Sequence, residues 1–259
     1  MSQFITYTKH SNYATIILNR ADKFNSFIQE MALALLTALD DYEQDPTMRA
    51  LYLTGTGKAF CAGQDLGEVI DPNGPPISDI VSQHYNPMIM RIRNIEKPIV
   101  CGVNGVAAGA GANIALACDV VIAAESATFI QAFSKIGLIP DSGGTYTLPR
   151  IIGMGKASAL MLLGDKITAT EAEKMGMIYQ VVPTENLETV GLTLTQKLAN
   201  MPTVAIGLTK RALNASANNT LEQQLKLEDQ LQTLSAQSLD YNEGVNAFVE
   251  KRAPKFTGK

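Results

Sequence analysis

Residues 98–119 read PIVCGVNGVAAGAGANIALACD, and the fold turns on how this stretch is read. It carries Gly102, Gly105, Gly109 and Gly111, and no charge before Asp119. An apolar opening followed by small residues at helical spacing predicts a buried strand, a tight glycine turn and a helix from about Ala110. Glycine is used where backbone approaches something closely, and a helix start presents unpaired N–H groups. Such a turn can hold N–H donors against an oxygen that gains negative charge, the arrangement of an oxyanion hole. A strand-turn-helix packed closely for structural reasons alone would read the same way. The uncharged length and the GxxxG from Gly105 to Gly109 also resemble a membrane span. Asn104 and Asn113 would then sit in hydrocarbon, and no second apolar span exists, so no membrane association is expected.

With 259 residues, 46% of them hydrophobic and 18% charged, the chain can bury a substantial core as one large domain, with or without a smaller appendage. A net charge of −4 with scattered Lys and Arg gives no footprint for nucleic acid. Cys61, Cys101 and Cys118 fall in apolar segments without a CxxC pair, so reduced core thiols and a cytoplasmic location are expected. The start, MSQFITYTKH, lacks the apolar run of a secretion signal. His10 and His84 are far apart and no thiols pair, so no metal site is expected. DSGG at 141–144 resembles a serine-protease nucleophile region, but neither histidine is placed to act as its base.

Working outward, QFITYTK and YATIILN alternate around His10, Ser11 and Asn12 as a β-hairpin. Ser26 is placed to cap a helix through Gln44, and ALYLTG at 50–55 is a buried strand. KAFCAGQDL, residues 58–66, is a second small-residue turn following a strand, and DPNGPPISD, residues 71–79, a loop before a helix from His84 to Asn94. After the central stretch come a strand VVIAA, a third glycine turn at PDSGG, a helix at 156–163 and a capping box from Thr168 to Glu171. IYQVV is the last strand, and from Leu187 the pattern is helical. Strand, turn and helix recurring through the first 180 or so residues make the fold α/β with an all-helical C-terminal part.

Four ordered motifs, FCAGQDL, NGVAAGAGANIALACD, FIQAFSKIGLIPDSGGTYTLPRIIG and AEKMGMIYQVV, resemble the crotonase, or enoyl-CoA hydratase and isomerase, superfamily over nearly the whole chain. The resemblance implies a spiral of strand-strand-helix units and a helical C-terminal trimerisation region. The corresponding division is an acyl-CoA-binding core at 1–195 and an oligomerisation region at 196–259. It implies an acyl-CoA thioester as substrate, with coenzyme A part of that substrate and no separate cofactor, and a homotrimer or dimer of trimers. Carried over by motif position, the backbone N–H groups of Gln64 and Ala110 would hold the thioester oxygen. Ala62, Asp65, Leu66 and Gly67 would run along the CoA moiety. Arg20, Lys23 and, from a neighbouring subunit, Phe256 and Lys259 would meet its adenine and phosphates.

The chain departs from the hydratase pattern where it matters chemically. Family hydratases activate water with two glutamates, and the matching positions here are Asn113 and Phe133, neither of which can serve as a general base. The one carboxylate in a motif position that resembles a family active site is Asp141, in IGLIPDSGG. Among apolar neighbours its pKa would rise, which suits a group that takes and returns one proton; a plain helix N-cap is the alternative. One carboxylate, an oxyanion hole and no second acid are the logic of an isomerase. Within the superfamily, AFSKIGLIPDSGGTY, GAGAN and FVEKRAPKFTGK are most similar to the ring-1,2-epoxyphenylacetyl-CoA isomerases of bacterial phenylacetate degradation. That similarity implies conversion of the ring epoxide to oxepin-CoA and movement of a 3-enoyl double bond to the 2 position, with Asn113 orienting substrate beside Asp141 and Phe133 facing the ring. Rival readings are an enoyl-CoA hydratase, a 4-chlorobenzoyl-CoA dehalogenase, whose helper histidine has no match here, and a non-catalytic CoA- or RNA-binding homologue.

Overall fold

A computed structural model describes residues 2–259. Ten strands follow in chain order: β1 (Ile5–Lys9), β2 (Tyr13–Leu18), β3 (Ala50–Gly55), β4 (Ala59–Cys61), β5 (Ile99–Val103), β6 (Val106–Ala108), β7 (Val120–Ala124), β8 (Thr128–Ile130), β9 (Lys166–Thr168) and β10 (Gln180–Val182). They form a six-stranded sheet, β1-β2-β3-β5-β7-β10, and a four-stranded sheet, β4-β6-β8-β9. β1 and β2 pair antiparallel as the expected hairpin, and β2, β3, β5, β7 and β10 then run parallel. In the small sheet β4, β6 and β8 are parallel and β9 closes antiparallel.

The alternation between sheets is the spiral. β3, β5 and β7 lie in the large sheet, and each is followed at once by a strand of the small one, β4, β6 and β8. Helical segments then carry the chain back: α1 (Gln29–Gln44), α2 (Leu66–Ile70), α3 (Ile77–Asp79), α4 (Asn86–Asn94), α5 (Ala110–Ala117), α6 (Gly144–Ile152), α7 (Met154–Leu163) and α8 (Ala169–Lys174). The expected capping box is present, with the Thr168 hydroxyl accepting from Glu171 N–H. α9 (Leu187–Ala199) packs on β3 and β5 and runs through residue 195. Beyond it α10 (Thr203–Ser216), α11 (Leu221–Ser235) and α12 (Leu239–Val249) complete the chain. No helix among the described residues is long and apolar enough to cross a membrane.

Three local expectations change. Ser26 does not cap α1, whose N-cap residue is Ile28; its hydroxyl and carbonyl instead accept from Arg20. The helix expected from His84 begins earlier, with α3 and a π-helical turn at Ile80–Tyr85 leading directly into α4. The turn at 58–66 contains β4, because Ala59, Phe60 and Cys61 are buried and find partners on β6.

Candidate active site

The first wall of the site is the loop after β4. Phe27 makes a lone parallel bridge to it: its N–H donates to Gly63 O (2.7 Å) and its carbonyl accepts from Asp65 N (2.8 Å). Successive residues of extended backbone direct their polar groups to opposite sides. The Gln64 N–H, lying between those two bonds, therefore faces away from Phe27, and no acceptor among the described residues takes it. Gly63 permits the turn with a φ of +93°.

The second wall comes from the central glycine stretch. β6 ends at Ala108, Gly109 takes φ 53° and ψ −125°, and α5 begins at Ala110 as expected. Gly109 N–H donates to Ile130 O, whereas the Ala110 N–H, at the start of the helix, has no acceptor among the described residues. All eight residues of α5 are buried, so the helix packs tightly behind this N–H. A Cβ at Gly111 would collide with the Cys61 carbonyl, which is why the two loops can touch only with glycine there. The position of a Cβ on Gly63 lies 3.6 Å from Ala110 N. Two unpaired donors, one of them at a helix N-terminus, thus sit side by side, as an oxyanion hole requires.

Asp141 adds a carboxylate to the same cavity lining. It opens the turn before α6, where Ser142 and Gly143 both have positive φ. The N-cap of α6 is Gly143 and no side chain caps the helix, so the alternative of Asp141 as a cap does not hold. Its carboxylate accepts from the Ser142 hydroxyl (2.8 Å), and burial raises its pKa above the ordinary carboxylate range, more than that hydrogen bond lowers it. A cavity of about 390 Å³ is lined by Gln64, Ala110, Asp141, Phe133 and an aliphatic wall that includes Ile77 and Ile80. Asp141 is the one carboxylate on its lining among the described residues.

The sequence-derived residues divide accordingly. Ala62, Gln64, Leu66, Ala110, Phe133 and Asp141 all line the cavity. Asn113 does not. It is buried behind the turn, its Nδ2 donating to the Asp141 carbonyl (2.9 Å) and its Oδ1 accepting from Gln131 Nε2 (2.8 Å). With both ends of its amide occupied, Asn113 holds the backbone of Asp141 and is not positioned to orient a substrate. Asp65 faces Arg20, which donates to its Oδ2 (2.6 Å), and Gly67 N–H donates to Asp65 Oδ1. Arg20 is thereby engaged under the loop, a correction to its expected role as a phosphate partner. Lys23 is exposed, away from the cavity lining. Phe256 and Lys259, in the tail that follows α12 and packs back on it, do not line this cavity within one chain: Arg49 donates to Phe256 O, and the Lys259 carbonyl accepts from Asp240 N–H. Tyr85, which lines the cavity and donates to Gln64 Oε1 (2.8 Å), carries no motif that the sequence could have offered.

Comparison with known proteins identifies the family and the fold. The family profile "Enoyl-CoA hydratase/isomerase" matches residues 8–259. The chain is 48% identical to the 1,2-epoxyphenylacetyl-CoA isomerase of Escherichia coli K12 over the full length of both. It is 34% identical to the mitochondrial enoyl-CoA hydratase of Pongo abelii, covering 96% of this chain and 84% of the relative. The crystal structure of the enoyl-CoA hydratase from Bacillus anthracis superposes with a TM-score of 0.94 at 34% identity, covering 99% of this chain and 100% of that one. The chain belongs to the enoyl-CoA hydratase/isomerase, or crotonase, family.

Proposed function

We propose that the protein is an acyl-CoA isomerase that stabilises a thioester enolate with the N–H groups of Gln64 and Ala110 and moves one proton with Asp141. The observation that carries this reading is the lining of the cavity, which brings together Gln64 and Ala110, whose N–H groups have no acceptor among the described residues, and a single half-buried carboxylate. With a 3-enoyl thioester, Asp141 removes a proton from C2 and the electron pair passes to the thioester oxygen, held by the two donors. The same carboxyl then returns the proton to C4, so that the double bond comes to lie between C2 and C3 and no atom is gained or lost. Removing one donor of such a pair typically costs about 3 kcal/mol of the barrier.

Hydration needs a second group to activate water. Phe133 occupies one of the two positions where family hydratases carry glutamate, and Asn113, at the other, is engaged behind the turn. The named activity of the E. coli relative supports 1,2-epoxyphenylacetyl-CoA as a substrate, converted to oxepin-CoA, with Phe133 against the ring. The same reading includes a cytoplasmic homotrimer or dimer of trimers, in which Phe256 and Lys259 of one copy approach the CoA bound by its neighbour. Incubation with 2-enoyl, 3-enoyl and epoxyphenylacetyl thioesters, followed by mass spectrometry, tests it. Isomerised products are expected from the last two and little or no hydrated crotonyl-CoA. Hydration at a rate near that of isomerisation would refute the reading.

A further inference from the structure

The oxyanion reading gives the backbone of Gln64 a task but leaves its side chain unexplained. That side chain is fully engaged. Its Oε1 accepts from the Tyr85 hydroxyl (2.8 Å) and its Nε2 donates to Glu68 Oε2 (2.8 Å), while Glu68 Oε1 accepts from the Gln29 N–H at the start of α1 (2.9 Å). The chain of bonds therefore runs from the π-helical turn, through the loop, to the first turn of α1.

Tyr85 is itself rigidly held. It is almost wholly buried, at 1% exposure, and stacks edge-on against Phe27 with ring centroids 6.0 Å apart. Phe27 is the residue whose backbone brackets Gln64. One aromatic pair thus grips the loop twice, once through the Phe27 main chain and once through the Tyr85 hydroxyl. Tyr85 closes the π-helical turn, and π-turns in helices occur frequently at functional sites.

We propose that Tyr85 and Glu68 are positioning residues that lock the Gln64 side chain and so keep its backbone N–H aimed into the cavity before substrate arrives. The inference rests on the oxyanion-hole reading of this loop. Donors fixed in advance cost no reorganisation when charge develops, so a looser loop lowers kcat more than it raises KM.

Tyr85→Phe removes the hydroxyl and leaves the ring packed on Phe27. Amide hydrogen exchange of residues 62–67 should speed up, and kcat for a 3-enoyl thioester should fall by about fivefold to tenfold, the scale of one net hydrogen bond, with KM within about twofold. Gln64→Leu keeps the backbone N–H and removes both side-chain bonds. It should lose at least as much, and the double variant should lose no more than Gln64→Leu alone, because both changes break one chain. Unchanged exchange in Tyr85→Phe, or effects that multiply in the double variant, would overturn the lock. Faster exchange with kcat unchanged would leave the lock standing mechanically and show that the loop does not hold the oxyanion.

Discussion

α5 and α11 show two ways of placing a helix. In α5 every residue is buried, whereas in α11 only Leu231 is, and Leu221, Leu225 and Leu234 remain exposed. α12 repeats the second case with Leu239, Tyr241, Val245, Phe248 and Val249 on its surface. The spiral holds itself together by close packing; the C-terminal helices are held to it largely by polar anchors. Lys210 donates to Asp119 Oδ2 and Ile92 O, both at 2.8 Å, and Arg93 joins Asn214 on the same helix. Arg49 binds Thr203 and the Met201 and Phe256 carbonyls, while within the C-terminal part Asp240 ties the tail to α12 by accepting from the Thr257 and Gly258 N–H groups. Chemistry that needs donors fixed to a few tenths of an ångström lies in the close-packed part. The exposed leucines lie in the part that, in the proposed assembly, a neighbouring copy would cover.

The hardest blow to this division is Lys210→Ala. It would take one charged partner from Asp119, which keeps the Ile99 N–H and nearby Arg93, and would leave the Ile92 carbonyl without the ammonium, at a cost of about 1–3 kcal/mol. If the regions are held as described, limited proteolysis should cut at or after Met201 before the spiral opens. Simultaneous cutting throughout would show that the two form one cooperative unit. Charged substitution of the exposed face, Leu225→Glu with Phe248→Glu, should come next, since each side chain is worth about 2 kcal/mol when a neighbour covers it. Light scattering should show a trimer or its multiple for the wild type and smaller species for the variant; a wild-type monomer at micromolar concentration would remove the assembly from the account.

The smallest effect concerns the stability of the spiral itself. Burial raises the folded-state pKa of Asp141, so the folded chain binds that proton more tightly than the unfolded one. Stability from this group therefore falls as pH rises above the unfolded carboxylate value of about 3.9. Asp141→Asn should melt at or slightly above the wild-type temperature at pH 7, and the gap should close as pH approaches 3.9. For the same reason the acid limb of wild-type kcat/KM should lie above the ordinary aspartate range.

What could be read from the sequence was what neighbouring residues decide. The hairpin, the start of α5 at Ala110, the box at Thr168 and Glu171 and the family motifs all depend on local chemistry. Contacts between distant segments escaped it. Asn113 reaches Asp141 across 28 residues, Tyr85 reaches Gln64 across 21 and Arg20 reaches Asp65 across 45. Asn113 and Arg20 were expected to meet substrate until the fold showed their side chains occupied, and Tyr85 drew no expectation at all. The turn at Phe24 and Asn25 was equally hidden, because two successive residues other than glycine take positive φ there. The buried Asn25 side chain stabilises that turn by bonding the Arg20 N–H and the Thr56 and Ala59 carbonyls.

The central claim is that Asp141 carries the proton. Asp141→Asn keeps the shape of the side chain and can still accept from Ser142, so fold, assembly and acyl-CoA affinity should persist. Turnover of a 3-enoyl thioester, measured beside a melting curve, should drop by about 10² to 10⁴-fold, or roughly 3–5 kcal/mol in the barrier. A variant that isomerises within about threefold of wild type, too small a loss for a missing base, would contradict the account and place the proton-carrying group elsewhere.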